Sequence, residues 1–323
     1  MQKGSYQEVK TRFEKEFCKI KELKIYIREH VDEKTGYSHL DRHTAAQLAF
    51  VCRKWKYRRL NPQGVERVVP FLPDWLADPA KRQYNDVIMD PKEPRGENAG
   101  DFNLWTGFAA QALNPADYFK DMDQEQIREH VMGPIMNYLV TVISDIHYKT
   151  PEDSLREAEY ILNWLAAILQ FPLTSSGPMP IHVNGPEGVR VSTLFTWFRK
   201  NIIGPSHSAY VLEPSKSLFK CAANDPRGVV LLHVFNPKPF KGDYPQIPDH
   251  TRVVFSSIGP DPKLADPLMD MARYELNASF GGGRAYFNTF DTHLAHPGVV
   301  AYFYKFLVER DIAAFHQEPA TCI

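Results

Sequence analysis

The sequence predicts an α/β protein: a helical N-terminal region with a basic patch over residues 1–150, then over 151–323 a mainly parallel sheet with a helical C-terminal end. Three observations carry this. Segments with apolar residues at helical spacing dominate the first half. Short β-branched runs follow in the second: "IHV" at 181–183, "GVVLLHVF" at 228–235 and "TRVVFSSIG" at 251–259. Such runs alternating with helices are the pattern of strands covered on both faces. Of 323 residues, 43% are hydrophobic and 24% charged, so a sizeable core can form.

Taken in order, "SYQEVKTRFEKEFCKIKELKIYIREH" opens with Ser5 and Glu8 in capping-box spacing and puts Val9, Phe13, Phe17 and Ile20 on one stripe, which predicts a helix. "HLDRHTAAQLAFVCRKWKY" predicts a second, and "ADYFKDMDQEQIREHVMGPIMNYLVTVISDIHY" one or two more. The Pro-, Gly- and Asn-rich "DPKEPRGENAGDFNLWTG" is a connecting loop whose Phe102, Leu104 and Trp105 are expected to enter a core. "PEDSLREAEYILNWLAAILQ" is a helix with Ser154 and Glu157 as its capping box, and the aromatic-rich "GVVAYFYKFLVERDIAAF" closes the chain as another.

Charge is unevenly spread. Residues 1–60 hold 15 Lys and Arg against 8 Asp and Glu, while the rest holds 23 against 31. The densest part is "RKWKYRRL", in which Arg53, Lys54, Lys56, Arg58 and Arg59 are interleaved with Trp55 and Tyr57. Cations for phosphates and rings for bases make a nucleic-acid surface. The alternative is a solvated basic helix face with two aromatic anchors in the core.

Several classes find no support in the residues. The four cysteines lack C-x-x-C spacing and read as free thiols. No secretory leader or membrane-length apolar run is seen, which predicts an intracellular protein. The histidines of "HLDRH" (His39, His43) and "DTHLAH" (His293, His296) are pairs of a kind that arises by chance, so no metal is expected. Ser206 and His207 are adjacent without a third partner, so no catalytic residue is assigned. "GGGR" at 281–284 reads as a turn.

The stretch "IHVNGPEGVRVSTLF" has the layout of a phosphate-binding loop between strand and helix. A working loop reads G-x-x-x-x-G-K-[ST]; the lysine reaches the β- and γ-phosphates and the hydroxyl takes Mg²⁺. Aligned on Gly185, the second glycine is Arg190, the lysine is Val191 and the hydroxyl is Ser192, followed by Thr193. Gly185, Gly188, Arg190, Ser192 and Thr193 are therefore a phosphate-loop remnant. The strand "VVLL" runs into His233, Val234 and Phe235 where paired acids would hold Mg²⁺, and "VVFSS" ends at Ser256 and Ser257.

The segments "WLADPAKRQYNDVIMDP", "FNLWTGFA", "YILNWLAAILQFP", "NGPEGVRVSTLF", "NIIG" and "LVERDIAAFHQEPAT", in this order, resemble those of the phage and large-DNA-virus primase-helicases. The C-terminal half of those proteins is a superfamily-three helicase of the AAA+ type. The resemblance implies a degenerate AAA+-like domain over 151–323, a hexameric ring and single-stranded DNA in a basic channel. It places Arg273 where the family has an arginine acting on a neighbour's ATP. The family's upstream primase module is not in this sequence.

The expectation is a catalytically inactive relative of a viral or phage replicative DNA helicase, acting as a nucleic-acid-binding or structural subunit of a larger assembly, in a virion or at a host replication site. No cofactor is expected. Expected partners are single-stranded DNA or another nucleic acid, protein subunits and further copies of the chain, with no membrane. Two alternatives stand: an active or partly active ATP- and Mg²⁺-dependent helicase, and an architectural protein binding neither nucleotide nor DNA.

Overall fold

The first helix ends well short of the segment its apolar stripe predicts. The computed structural model describes residues 4–31, 38–93, 100–143, 150–174, 179–186, 190–212, 228–235, 250–258, 272–276, 283–313 and 315. Helix α1 spans Tyr6–Glu16, with the Ser5–Glu8 capping box formed. The chain turns extended at Phe17 and makes β1 (Phe17–Ile20) and β2 (Ile25–Val31), an antiparallel pair. A spacing of four residues puts side chains on one face of a helix and of a strand alike, so Val9, Phe13 and Phe17 could not mark where one gave way to the other.

The second expected helix is likewise divided. "HLDRH" lies in β3 (Ser38–His43), and only α2 (Ala45–Val51) is α-helical, capped by Thr44 with Gln47. A 3₁₀ turn at Cys52–Lys54 leads into β4 (Lys56–Leu60), which pairs antiparallel with β5 (Glu66–Pro70). The basic segment is thus a turn and a hairpin strand, not a helix face. The hairpin signal is "NPQG": Asn61 Oδ1 accepts from Gln63 N and Val65 N, and Gly64 takes a φ of +76°. After α3 (Leu72–Ala77) come β6 (Gln83–Tyr84), β7 (Val87–Ile88) and β8 (Phe102–Asn103).

These elements form one unit, Met1–Thr106, and Gly107–Ile323 forms the other. The first unit is as much sheet as helix, with a four-stranded order β3-β2-β1-β6. Its core is aromatic: Phe13 stacks on Phe17 at 4.4 Å and meets Trp75 at 4.8 Å and Phe71 and Trp55 each at 5.1 Å. Phe102 and Leu104 are buried with Cys18, Ile20 and Ile27, as their place after the loop predicted.

The second unit holds α4 (Gln124–Tyr138) and α5 (Pro151–Gln170). The α5 cap is Thr150 with Asp153, one turn before the expected Ser154 and Glu157, which are buried inside the helix; Pro151 in its first turn marks the true start. The three expected strands appear as β9 (Ile181–Gly185), β11 (Leu231–Phe235) and β12 (Arg252–Ile258); α6 (Thr193–Trp197) follows β9, and two strands that the sequence did not predict, β10 (Ser208–Leu212) and β13 (Ala272–Glu275), complete the sheet. Helices α7 (Arg284–Leu294) and α8 (Pro297–Glu309) close the unit. All pairings in the five-stranded sheet are parallel, in the order β10-β11-β12-β9-β13. Every residue of β9 is buried and β12 is buried up to Ser257, so the polar residues among them, His182, Asn184, Ser256 and Ser257, are buried with the apolar ones. No helix among the described residues is long and apolar enough to cross a membrane.

Candidate functional site

The sheet order sets the end of β9 beside the end of β12, with Gly185 paired to Ile258 and, one strand on, Phe235 paired to Ser256. Ligands of open parallel sheets sit outside these carboxyl ends. A cleft of about 560 Å³ lies there, lined in part by Arg190, Val191, Ser192, Thr193, Phe235 and Ile258. Three of the five phosphate-loop positions, Arg190, Ser192 and Thr193, therefore line the cleft with the ends of β11 and β12, and Gly185 ends β9 beside it. Gly188 lies outside the described residues.

Each of these residues is nonetheless committed to the fold. Val191, at the lysine position, is 1% exposed. A Cβ on Gly185 would stand 2.7 Å from Val191 Cγ1 and 3.1 Å from Leu276 Cβ, so the glycine serves a close approach of side chains. Ser192 is the N-cap residue of α6 without a side-chain hydrogen bond to it, and Thr193 is its first residue. Arg190 makes an ion pair with Asp291, donates to Asn288 Oδ1 at 3.0 Å, and lies over the Phe287 ring at 6.0 Å, all on α7. Asp291 is the one carboxylate among the described residues lining the cleft, and this arginine holds it.

Neutral hydrogen-bonded groups stand where acids would have to be. His233 is fully buried on β11, its Nε2 is 2.9 Å from Ser256 Oγ, and burial pushes its pKa down to about 3, helped by the Arg199 charge. On the other face of the sheet, Ser257 Oγ donates to Asn184 Oδ1 at 2.8 Å and lies 2.8 Å from His182 Nε2. A hydroxyl donates once, so His182 is the donor to Ser257, through Nε2–H. Among the described residues lining the cleft the cations are Arg190 and Lys200 and the carboxylate is Asp291, so no pair of carboxylates is placed there to hold Mg²⁺. No three His, Cys, Asp or Glu among the described residues are placed to hold a metal. His293 Nε2 is engaged with Val131 O at 3.2 Å, and His296 Nδ1 accepts from Gly298 N at 3.1 Å.

In the first unit the basic segment is only partly available. Arg58 is paired with Glu66 at 3.2 Å and Arg59 with Asp74 at 3.4 Å. Trp55 packs edge-on against Phe13 and is partly buried, and Tyr57 is buried with its hydroxyl donating to Asp74 at 2.6 Å, so both rings are used in packing. Arg53, Lys54 and Lys56 are exposed. The exposed ring is one that the sequence reading missed: Phe50, 68% exposed, with the Arg53 guanidinium 4.6 Å from its centroid. The signal was there: once Leu48 and Cys52 are set inward at i and i+4, Phe50 must face out.

No family model matches the chain, and no curated protein matches it. Among solved structures it is similar to the A form apo structure of the NrS-1 C terminal region, with a TM-score of 0.51 and 13% identity over 96% of this chain and 72% of that one. A second apo structure of that region, 305–718, matches with a TM-score of 0.39 and 13% identity over 88% and 72% of the two chains. The first likeness is one of fold: helices with a mainly parallel sheet in an α/β architecture.

Proposed function

We propose that this protein is a helicase-like subunit of phage or viral type that does not hydrolyse ATP and that binds nucleic acid within a larger assembly. The observation that carries the first part is Val191: the residue at the lysine position is buried against Gly185, and the adjoining Arg190 is tied to α7. A phosphate entering the cleft would have to displace Asp291 from Arg190, and the cleft's other cation, Lys200, lies on the following helical turn and not at the lysine position of the loop. The fold likeness to the NrS-1 C terminal region and the ordered segments shared with primase-helicases support the helicase-like part. The uneven charge, concentrated in residues 1–60, supports the nucleic-acid part.

The pairing of Arg58 and Arg59 with acids, and the packing of Trp55 and Tyr57 against the core, favour a second reading, an architectural protein without nucleic acid. Two titrations separate the readings. The first follows a fluorescent ATP analogue with Mg²⁺; the expected result is no saturable binding, and saturation at micromolar concentration overturns the inactive site. The second follows a labelled single strand; binding that weakens with salt supports the proposal, and none at low salt leaves the architectural reading.

A further inference from the structure

We infer that Phe50 is the base-stacking residue of the first unit and that its ligand is single-stranded DNA, seated on the α2 end and the 3₁₀ turn with Arg53, Lys54 and Lys56. This rests on the nucleic-acid reading above and names the residues and the form of the ligand.

Three observations converge within seven consecutive residues. Phe50 leaves 68% of its surface in water, although a buried phenylalanine would contribute to the fold. The fold uses the neighbouring rings of Trp55 and Tyr57 for packing and spares this one. Arg53 lies over the Phe50 ring at 4.6 Å, which makes a flat, positively charged stack; a nucleobase is the ligand that matches it in shape, and its phosphate in charge.

The distribution of unpaired charge points to the same place. Arg58 and Arg59, further along β4, are neutralised by Glu66 and Asp74. Arg53, Lys54 and Lys56, which flank Phe50 in the chain, have no ion pair among the described residues. Within the basic segment 53–59 the cations without an ion pair are therefore the ones nearest Phe50 in the chain. A duplex hides the faces of its bases in its own stack, so only an unpaired strand can lay a base on Phe50.

The test is fluorescence anisotropy of a labelled dT oligonucleotide with the full chain, over a range of salt. Phe50→Ala is expected to weaken binding about tenfold with the salt slope unchanged, because an uncharged ring releases no counterions. Phe50→Tyr should keep most of the affinity. Replacing Lys54 and Lys56 by Ser should lower the slope by about 1.4. Unfolding of Phe50→Ala should match the parent, which separates stacking from folding. If the lysine variants lower the slope while Phe50→Ala binds as the parent does, the stacking role fails and the nucleic-acid reading survives. If the parent binds no oligonucleotide, both fail. Equal binding of a duplex, unaffected by Phe50→Ala, overturns the single-strand assignment.

Discussion

A methyl group on Gly185 would stand 2.7 Å from Val191 Cγ1, closer than such carbons approach in folded proteins. The glycine that most resembles a phosphate-loop residue is thus required by the side chain that replaced the lysine. Gly185→Ala should destabilise the second unit by about 1–3 kcal/mol, the usual cost of overpacking. Adding Val191→Ala should recover part of that loss. Denaturant unfolding of the single and double variants checks this; equal losses in both would show that the clash lies elsewhere.

The buried His233 makes the second unit acid-sensitive. Its folded pKa, about 3, lies below the ordinary value of 6.5, so between these limits the unfolded chain binds the extra proton. Stability should fall as pH drops through 6.5 towards 3, by up to about 1.4 kcal/mol per pH unit. The double variant His233→Leu with Ser256→Ala, which removes both partners of the hydrogen bond, should flatten that slope in unfolding measured across the window.

In the first unit the Asp78 pKa is also lowered, but for the opposite reason: its charged form is favoured. Hydrogen bonds from Lys10 and Tyr6, each ending on Oδ2, hold its pKa down at about 2. The stabilisation is complete above the ordinary carboxylate value near 3.8 and is lost as pH falls through 2. Asp78→Asn should cost about 2 kcal/mol at neutral pH, as expected for hydrogen bonds to a charged group. The gap between parent and variant should close between pH 4 and 2.

Trp55 and Phe50 should separate cleanly in a stability measurement. Trp55→Ala removes a ring packed on Phe13 and Phe71 and should destabilise by about 3 kcal/mol. Phe50→Ala should change stability by no more than about 0.5 kcal/mol, as surface substitutions do. Thermal unfolding of the two variants side by side is sufficient.

The Arg190–Asp291 pair should contribute little to stability. The two side chains are 42% and 44% exposed, and such pairs are worth about 1 kcal/mol or less. Asp291→Asn should therefore leave unfolding nearly unchanged, and high salt should erase the remaining difference. A loss of several kcal/mol would mean that Arg190 anchors α7 to the loop.

The sequence by itself determined three of the five parallel strands, because burial on both faces favours short β-branched runs: "IHV", "VVLLHVF" and "RVVFSS" lie where they were expected, whereas β10 and β13 carry no such run. It also determined α5, α8 and the absence of a lysine and paired acids at the loop positions, which are matters of residue identity. The tertiary structure alone decided the rest. That α1 stops at Glu16 follows from strand pairing with Ile25–Val31, a partner absent from the local pattern. The unit boundary at 106/107 depends on contacts between distant segments. Whether Arg58 is free or held by Glu66, and whether Trp55 or Phe50 meets the solvent, depends on which side of a short element faces the core. Charge and ring content can be counted along a chain, but exposure is fixed only when the elements pack.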